Sequence, residues 1–199
     1  MKRLPGFPPE PPLCISTPFS EETARALRAG QRVLLSGPAW SCRDAAHQRM
    51  VELLAAGGRL PFDLNGQVIY YAGPTPARPG RPVGSLGPTT SSRMDPYVEP
   101  LLALGLRGMI GKGERSPEVR KLLQDYGAVY LAATGGAGAL LAKCVRSAEV
   151  VAWPELGAEA VRRLELVDFP AIVACDSAGG DLYAQAQELW QQKGPPQSS

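Results

Sequence analysis

Short apolar runs alternate along the chain with segments in which apolar residues recur at helical spacing. Each run is rich in β-branched and aliphatic side chains and is bounded by turn-forming residues, which is typical of strands. Strands are therefore predicted at "RVLLSG", "GQVIYYAG", "LRGMIGKGE", "AVYLAA", "AEVVAW", "RLELVDFP" and "AIVACD". Helices are predicted over about 20–29, after Ser41, over about 95–104, over "SPEVRKLLQDYG", over "ALLAKCVRS" and over about 181–193.

Residues at the ends of these segments predict where the elements begin and end. Gly37 is expected to end the first strand, and Ser41 with Asp44 matches the S-x-x-D/E pattern that begins a helix. Ser116 is placed to cap the helix in "SPEVRKLLQDYG", which Gly127 is expected to end.

Strands mixed with helices predict a single α/β domain. The later strands follow one another so closely that a mixed sheet is expected rather than a regular β-α-β winding. Residues 1–13 are rich in proline and are expected to form an extended tail. The domain is expected over residues 14–193, and residues 194–199 are expected to form a disordered tail.

Composition narrows the possible functions. The 199 residues include 44% hydrophobic and 20% charged residues, which is ordinary for a globular protein. No apolar run approaches the roughly 20 residues that cross a bilayer, and the start of the chain lacks the apolar core of a signal peptide. A cytoplasmic protein without membrane contact is expected. The 21 basic residues are scattered among 19 acidic ones, so no nucleic-acid partner is expected.

The four cysteines lie far apart and include no C-x-x-C pair; they are Cys14, Cys42, Cys144 and Cys175. This spacing argues against a zinc site or an iron–sulfur cluster ligated by this chain alone. Reduced thiols are expected, most of them buried as small apolar groups. Cys42 is the exception because it lies inside a polar motif.

Three segments end a predicted strand in a glycine turn and then present a cation. The segments "SGPAWSCRDAAH", "GPTTSSRM" and "GMIGKGE" supply Arg43, Arg93 and Lys112. Ligand sites of α/β proteins collect at strand ends, and two guanidinium forks with one ammonium group suit a dicarboxylate. Plainer interpretations remain. Arg43 could pair with Asp44 on the surface, Lys112 could be solvated, and the loop around Arg93 could be an ordinary polar turn.

His47 and a glycine-rich turn are further candidates. His47 lies one helical turn after Arg43, where it could orient the arginine, act as an acid or base, or be a structural histidine. The turn in "ATGGAGALLAK" suggests a phosphate loop, but it lacks G-K-S/T and does not fit G-x-G-x-x-G in frame. Tight strand-to-helix packing is the favoured interpretation. The three cations Arg43, Arg93 and Lys112 could act as clamps for a substrate, but the chain offers no strong electrophile. The chain is therefore expected to carry half an active site.

Six segments, in order along the chain, resemble a known family. They are "SCRDAAHQRM", "PFDLNGQVIYYAGP", "GPTTSSRMD", "GMIGKGE", "AVYLAATGGAGALLAK" and "VVAWPELGAEAVRRLELVDFPAIVACDSAGGDLY". They are similar to the β subunit of class I fumarate hydratases and to the C-terminal domain of the single-chain enzymes. The resemblance implies a single swivelling β/β/α-type domain with a mixed sheet. It also implies an oxygen-sensitive 4Fe-4S hydro-lyase that interconverts fumarate and (S)-malate.

The resemblance further implies a partner. The 4Fe-4S cluster would be ligated by a partner α subunit and not by this chain, in an α2β2 complex whose active site forms between the two kinds of subunit. The isolated chain is then expected to be inactive.

Residue roles are implied in the same way. Arg43, Arg93 and Lys112 would bind the carboxylates of the dicarboxylate substrate, and Thr89 would exchange the proton at C3. A threonine hydroxyl is a poor base unless neighbouring cations lower its pKa, so Thr89 needs Arg93, Lys112 or a relay from the α subunit.

Supporting roles are considered for His47, Asp44 and Thr90. One departure from the family leaves the substrate open: fumarases usually have T-A-R-D where this chain has "SCRD", and a T-C-R-D form is similar to L-tartrate dehydratase β subunits. The alternatives are a β subunit of L-tartrate dehydratase or mesaconate hydratase, and a non-catalytic dicarboxylate-binding module.

Overall fold

A computed structural model describes residues 11–193, which form one α/β domain. Most of the two predicted tails, residues 1–10 and 194–199, lies outside the described residues. The strands are β1 Leu13–Ser16, β2 Arg32–Ser41, β3 Val68–Tyr70, β4 Gly108–Gly111, β5 Val129–Ala132, β6 Val145–Ala152 and β7 Val161–Cys175. The helices are α1 Glu21–Ala26, α2 Asp44–Ala55, α3 Val98–Ala103, α4 Pro117–Tyr126, α5 Gly138–Leu141 and α6 Leu182–Lys193, with 3-10 helices at Ser91–Tyr97, Ala142–Cys144 and Pro154–Glu159.

The strands form one mixed sheet in the order β1-β2-β3-β4-β5-β7-β6. Strands β1 to β5 are parallel neighbours, whereas β7 runs antiparallel to β2, β5 and β6. Because β7 pairs with both β5 and β2, five strands close into a ring. The predicted α/β class, single domain and mixed sheet are confirmed.

Successive side chains of the central strands point into two different cores, as the two-residue period of a strand requires. Ile110 and Leu131 lie in the core enclosed by the ring. Met109 and Tyr130 face the opposite way, into a second core. Helices α2, α3 and α4 cover that second core with apolar side chains, among them Met50, Leu101, Leu102, Val119 and Leu123.

Strand β2 is longer than the sequence predicted. Gly37 has a φ of 114° and produces an irregularity in the pairing with β7, so the strand continues to Ser41 instead of ending. The predicted helix cap at Ser41 is wrong, because pairing with β3 and β7 holds this residue in the sheet. Arg43 occupies the capping position, and α2 begins at Asp44.

Two boundaries in the C-terminal third also differ from the prediction. The predicted strands "RLELVDFP" and "AIVACD" form the single strand β7, in which Asp168, with a φ of 51°, lies at the irregularity in the pairing with β2. The first part of β7 pairs with β6 and the last part with β5. The predicted helix "ALLAKCVRS" is shorter because Val145 already pairs with Leu166 in the sheet.

Candidate functional site

The candidate site lies at the carboxyl ends of the parallel strands β2 to β5. Arg43 comes shortly after β2, and Lys112 directly follows β4. Backbone hydrogen bonds bring Thr89 to the same edge of the sheet. Its amide donates to the Tyr71 carbonyl at 2.7 Å, and its carbonyl accepts from the Lys112 amide at 3.2 Å. Thr89 is therefore fixed next to Lys112 at the place where ligand sites of α/β proteins form.

Gly111 makes this close approach possible. A Cβ atom at Gly111 would overlap the hydroxyl oxygen of Ser91, so a larger residue would push the loop away. The buried Ser91 hydroxyl is hydrogen-bonded to the Tyr130 hydroxyl at 2.9 Å, and the Ser91 amide donates to the Lys112 carbonyl at 2.9 Å. Thr90 lies between these contacts, is exposed and forms an isolated bridge with Lys112.

Asp44 links the two arginines that the sequence proposed as clamps. Its Oδ1 lies 2.7 Å from Nε of Arg93 in an ion pair, and its Oδ2 lies 3.7 Å from Nη2 of Arg43. Asp44 is the first residue of α2, whereas Arg93 comes from the 3-10 helix Ser91–Tyr97. The side chain of Arg43 is 27% exposed and that of Arg93 is 50% exposed, so both remain accessible to a ligand.

A second carboxylate, which the sequence analysis missed, also contacts Arg43. Glu159 places Oε1 3.4 Å from Nη2 of Arg43, and its Oε2 accepts from the Ala45 amide in the first turn of α2 at 2.9 Å. Glu159 is more than 100 residues from Arg43 and lies within the C-terminal segment that resembles the family, but no local pattern in that segment indicated a contact with Arg43.

Buried polar atoms without a hydrogen-bond partner concentrate beside these clamps. Among residues 11–193 they are Ser41 Oγ, Arg43 Nε, Asp44 Oδ2, His47 Nε2 and Arg115 Nη2. All but the last belong to one short segment, residues 41–47. Because buried polar groups are rarely left unpaired, such a concentration is typical of a functional site.

His47 is fully buried at the start of α2. Its Nδ1 donates to the Arg43 carbonyl at 2.8 Å, and its ring packs edge-on against Tyr71 with centroids 5.2 Å apart. Burial lowers the pKa of His47 to about 4, which outweighs the opposing effect of the hydrogen bond. The imidazole is therefore neutral near pH 7, and its contact with Arg43 is through the backbone rather than the guanidinium.

The glycine turn after β5 lies beside the side chain of Lys112. A Cβ atom at Gly135 would be 3.5 Å from Cδ of Lys112. Gly138 packs against the loop before Thr89, since its carbonyl accepts from the Leu86 amide at 3.0 Å. The turn thus packs tightly, as predicted, and it also borders the lysine.

The described residues do not fit an iron–sulfur cluster. No three or more of their histidine, cysteine, aspartate and glutamate side chains lie close enough to hold a metal ion. Cys14, Cys42, Cys144 and Cys175 lie on separate elements, and burial raises the pKa of Cys175 to about 12 and that of Cys42 still further from its usual value. Thiols in such surroundings do not ionise readily, as a cluster ligand must.

Comparison with known proteins decides the family. The family model of the fumarase C-terminus matches residues 12–186, which include every clamp and loop described above. The chain belongs to the fumarase C-terminus family. The resemblance to class I fumarate hydratases inferred from the sequence motifs is confirmed.

Relatives of this fumarase C-terminus chain include proteins of two lengths. It is 43% identical over 156 residues to the anaerobic class I fumarate hydratase of Escherichia coli and 42% identical over 156 residues to the mitochondrial fumarate hydratase 1 of Leishmania major. Each match covers 77% of this chain but only 28% of the relative. A Methanocaldococcus jannaschii protein proposed to be an L(+)-tartrate dehydratase subunit beta is 40% identical over 176 residues, covering 85% of this chain and 90% of that protein. Within residues 11–193, every helix is too short or too polar to span a membrane.

Proposed function

We propose that this chain is the β subunit of a hydro-lyase that reversibly hydrates fumarate to (S)-malate. The observation that carries the proposal is that Arg43 and Arg93 both form ion pairs with Asp44. These pairs lie at the edge of the sheet where the backbone of Thr89 is hydrogen-bonded to that of Lys112. The fumarate hydratases among its relatives support the reaction class.

The clamp residues suit a small dicarboxylate. Arg93 uses Nε to bind Asp44, which leaves its two terminal nitrogens for a bidentate bond to one substrate carboxylate. Arg43 and Lys112 supply positive charge for the other carboxylate. Asp44 and Glu159 offset part of this charge, so the ligand-free site does not hold three uncompensated cations.

Thr89 is proposed to transfer the proton at C3 of the substrate. Its hydroxyl needs a lowered pKa for this role, and the charges of Lys112 and Arg93 act in that direction. The backbone bonds of Thr89 to Tyr71 and Lys112 would hold the hydroxyl in a fixed place while the proton moves.

We propose that a separate α subunit completes the site and holds a 4Fe-4S cluster in an α2β2 complex. The lengths of the relatives support this division, because the match covers 28% of the longer fumarate hydratases and 90% of a protein named as a subunit. The described residues of this chain offer no ligand set for the cluster, so its ligands would come from the α subunit.

L-tartrate is the second candidate substrate. The M. jannaschii protein is similar in length to this chain, and its name refers to L(+)-tartrate. Mesaconate, a methylated fumarate, presents the same two carboxylates to the clamp and is a third candidate. A dicarboxylate-binding module without catalysis would keep the clamps but show no turnover.

The test is an anaerobic assay of fumarate and mesaconate hydration and of L-tartrate dehydration. It compares this chain alone, the cluster-loaded α subunit alone, and the two mixed. We expect turnover only in the mixture, fastest with fumarate. Turnover by the isolated chain, or none from a mixture in which the two proteins bind each other, would refute the half-site proposal.

A further inference from the structure

Glu159 connects two parts of the candidate site at once. One oxygen accepts from the Ala45 amide of α2 at 2.9 Å, and the other lies 3.4 Å from Nη2 of Arg43. We propose that Glu159 is a positioning residue that orients the Arg43 guanidinium toward the substrate carboxylate. The inference rests on the proposed dicarboxylate site and goes beyond it by assigning a role to a residue of the β6–β7 connection.

Glu159 is held in place by the segment around it. Nη2 of Arg162 donates to the Gly157 carbonyl at 2.6 Å, and Nη1 donates to the carbonyls of Ala158 and Ala160 at 3.2 Å each. These bonds fix the backbone on both sides of Glu159. Its carboxylate is therefore presented to α2 by a rigid support.

The same segment packs directly on the site. A Cβ atom at Gly73 would lie 2.6 Å from the Ala158 carbonyl oxygen and 3.1 Å from Cδ of Arg43. The aliphatic part of the Arg43 side chain thus runs past Gly73, close to the connection that carries Glu159. Packing sets the path of the side chain, and the carboxylate sets the direction of its charged end.

Asp44 is the other carboxylate beside Arg43, and it is shared with Arg93. Asp44 forms its shorter ion pair with Arg93, at 2.7 Å, and lies 3.7 Å from Arg43, while Nε of Arg43 is buried without a hydrogen-bond partner among the described residues. Glu159 is therefore the nearer of the two carboxylates to Arg43. Losing its charge should let the guanidinium turn away and weaken substrate binding.

The experiment measures KM and kcat for fumarate in the assembled, cluster-loaded enzyme. The variant Glu159→Gln keeps an oxygen for the Ala45 amide but removes the charge. The matched control is Glu155→Gln, because Glu155 lies on the same 3-10 helix and pairs with Arg49 of α2. We expect Glu159→Gln to raise KM about tenfold with kcat changed by less than about twofold. Glu155→Gln should leave both constants unchanged.

A double variant separates positioning from general support of the fold. In an Arg43→Ala background, Glu159→Gln should have no further effect on KM, because the group it orients is gone. Three outcomes would overturn the inference but leave the proposed substrate role of Arg43 intact. They are a further rise in KM from Glu159→Gln in the Arg43→Ala background, an unchanged or lowered KM for Glu159→Gln alone, and an equal rise in KM for Glu155→Gln. If Arg43→Ala itself left KM unchanged, the proposed substrate role of Arg43 would fail, and the inference with it.

Discussion

Nε of Arg115 donates to Oδ1 of Asp95 at 2.8 Å, in an ion pair that joins two segments of the candidate site. Asp95 belongs to the 3-10 helix that carries Arg93, and Arg115 lies three residues after Lys112. The Arg115 side chain is fully buried, and its guanidinium lies 5.4 and 5.2 Å from the ring centroids of Tyr71 and Tyr130. The pair thus connects the 3-10 helix that carries Arg93 with the segment that follows Lys112.

Replacing Asp95 should destabilise the fold. Asp95→Asn leaves the buried Arg115 guanidinium without its counter-charge, and loss of one partner of a buried pair costs about 3–5 kcal/mol in free energy of unfolding. Urea denaturation of the isolated chain measures this cost. The control is Asp125→Asn, because Asp125 is exposed and pairs with Lys121 on the surface of α4. A loss no larger than that of the control would show that the pair contributes little to stability.

The stability of the chain should depend on the ionisation of His47, the sole histidine of the sequence. Burial lowers its pKa to about 4, below the value of about 6.5 expected in the unfolded chain. As pH falls below about 6.5, the unfolded chain takes up this proton first, so stability is lost progressively until about pH 4. The loss attributable to His47 should total about 3 kcal/mol.

Urea denaturation at several pH values in this window tests the role of His47. Carboxylates also titrate there, so the relevant quantity is the difference in pH dependence between the natural chain and His47→Gln. We expect a shallower fall of stability with decreasing pH in the variant. Equal slopes would mean that His47 does not titrate with a lowered pKa.

Cys42 should influence packing and not substrate choice. Its thiol is fully buried in the core under α2, and burial raises its pKa. The thiol is therefore protonated and does not contact the substrate. Cys42→Ala should cost about 1 kcal/mol in stability through the lost sulfur. The preference of the assembled enzyme for fumarate over L-tartrate should not change. A reversed preference in competition assays would show that this position does determine specificity.

The elements with strong local signals were predictable from the sequence. Ser116 caps α4 by accepting from the Val119 amide at 3.3 Å, and Gly127 ends the helix in the left-handed conformation with a φ of 64°. The positions of Arg43 and Lys112 after strands β2 and β4 were also predictable, because a glycine turn and a cation follow each predicted strand.

The remaining features depend on contacts between distant parts of the chain. Ser41 has the local pattern of a helix cap, but pairing with two other strands overrides it. Glu159 and the pair Asp95–Arg115 have no local pattern that indicates a contact with the site. The contact of Glu159 follows from the tertiary fold, which brings the β6–β7 connection next to α2.

The central claim is that this chain supplies the carboxylate clamp, and KM for fumarate in the Arg93→Ala variant of the assembled enzyme tests it most directly. We expect KM to rise about 100-fold, because a substrate carboxylate loses its charged partner. Arg78→Ala is the control, because Arg78 is an exposed arginine in the loop between β3 and the 3-10 helix Ser91–Tyr97. This control variant should leave KM unchanged. An Arg93→Ala enzyme with the KM of the natural protein would contradict the account.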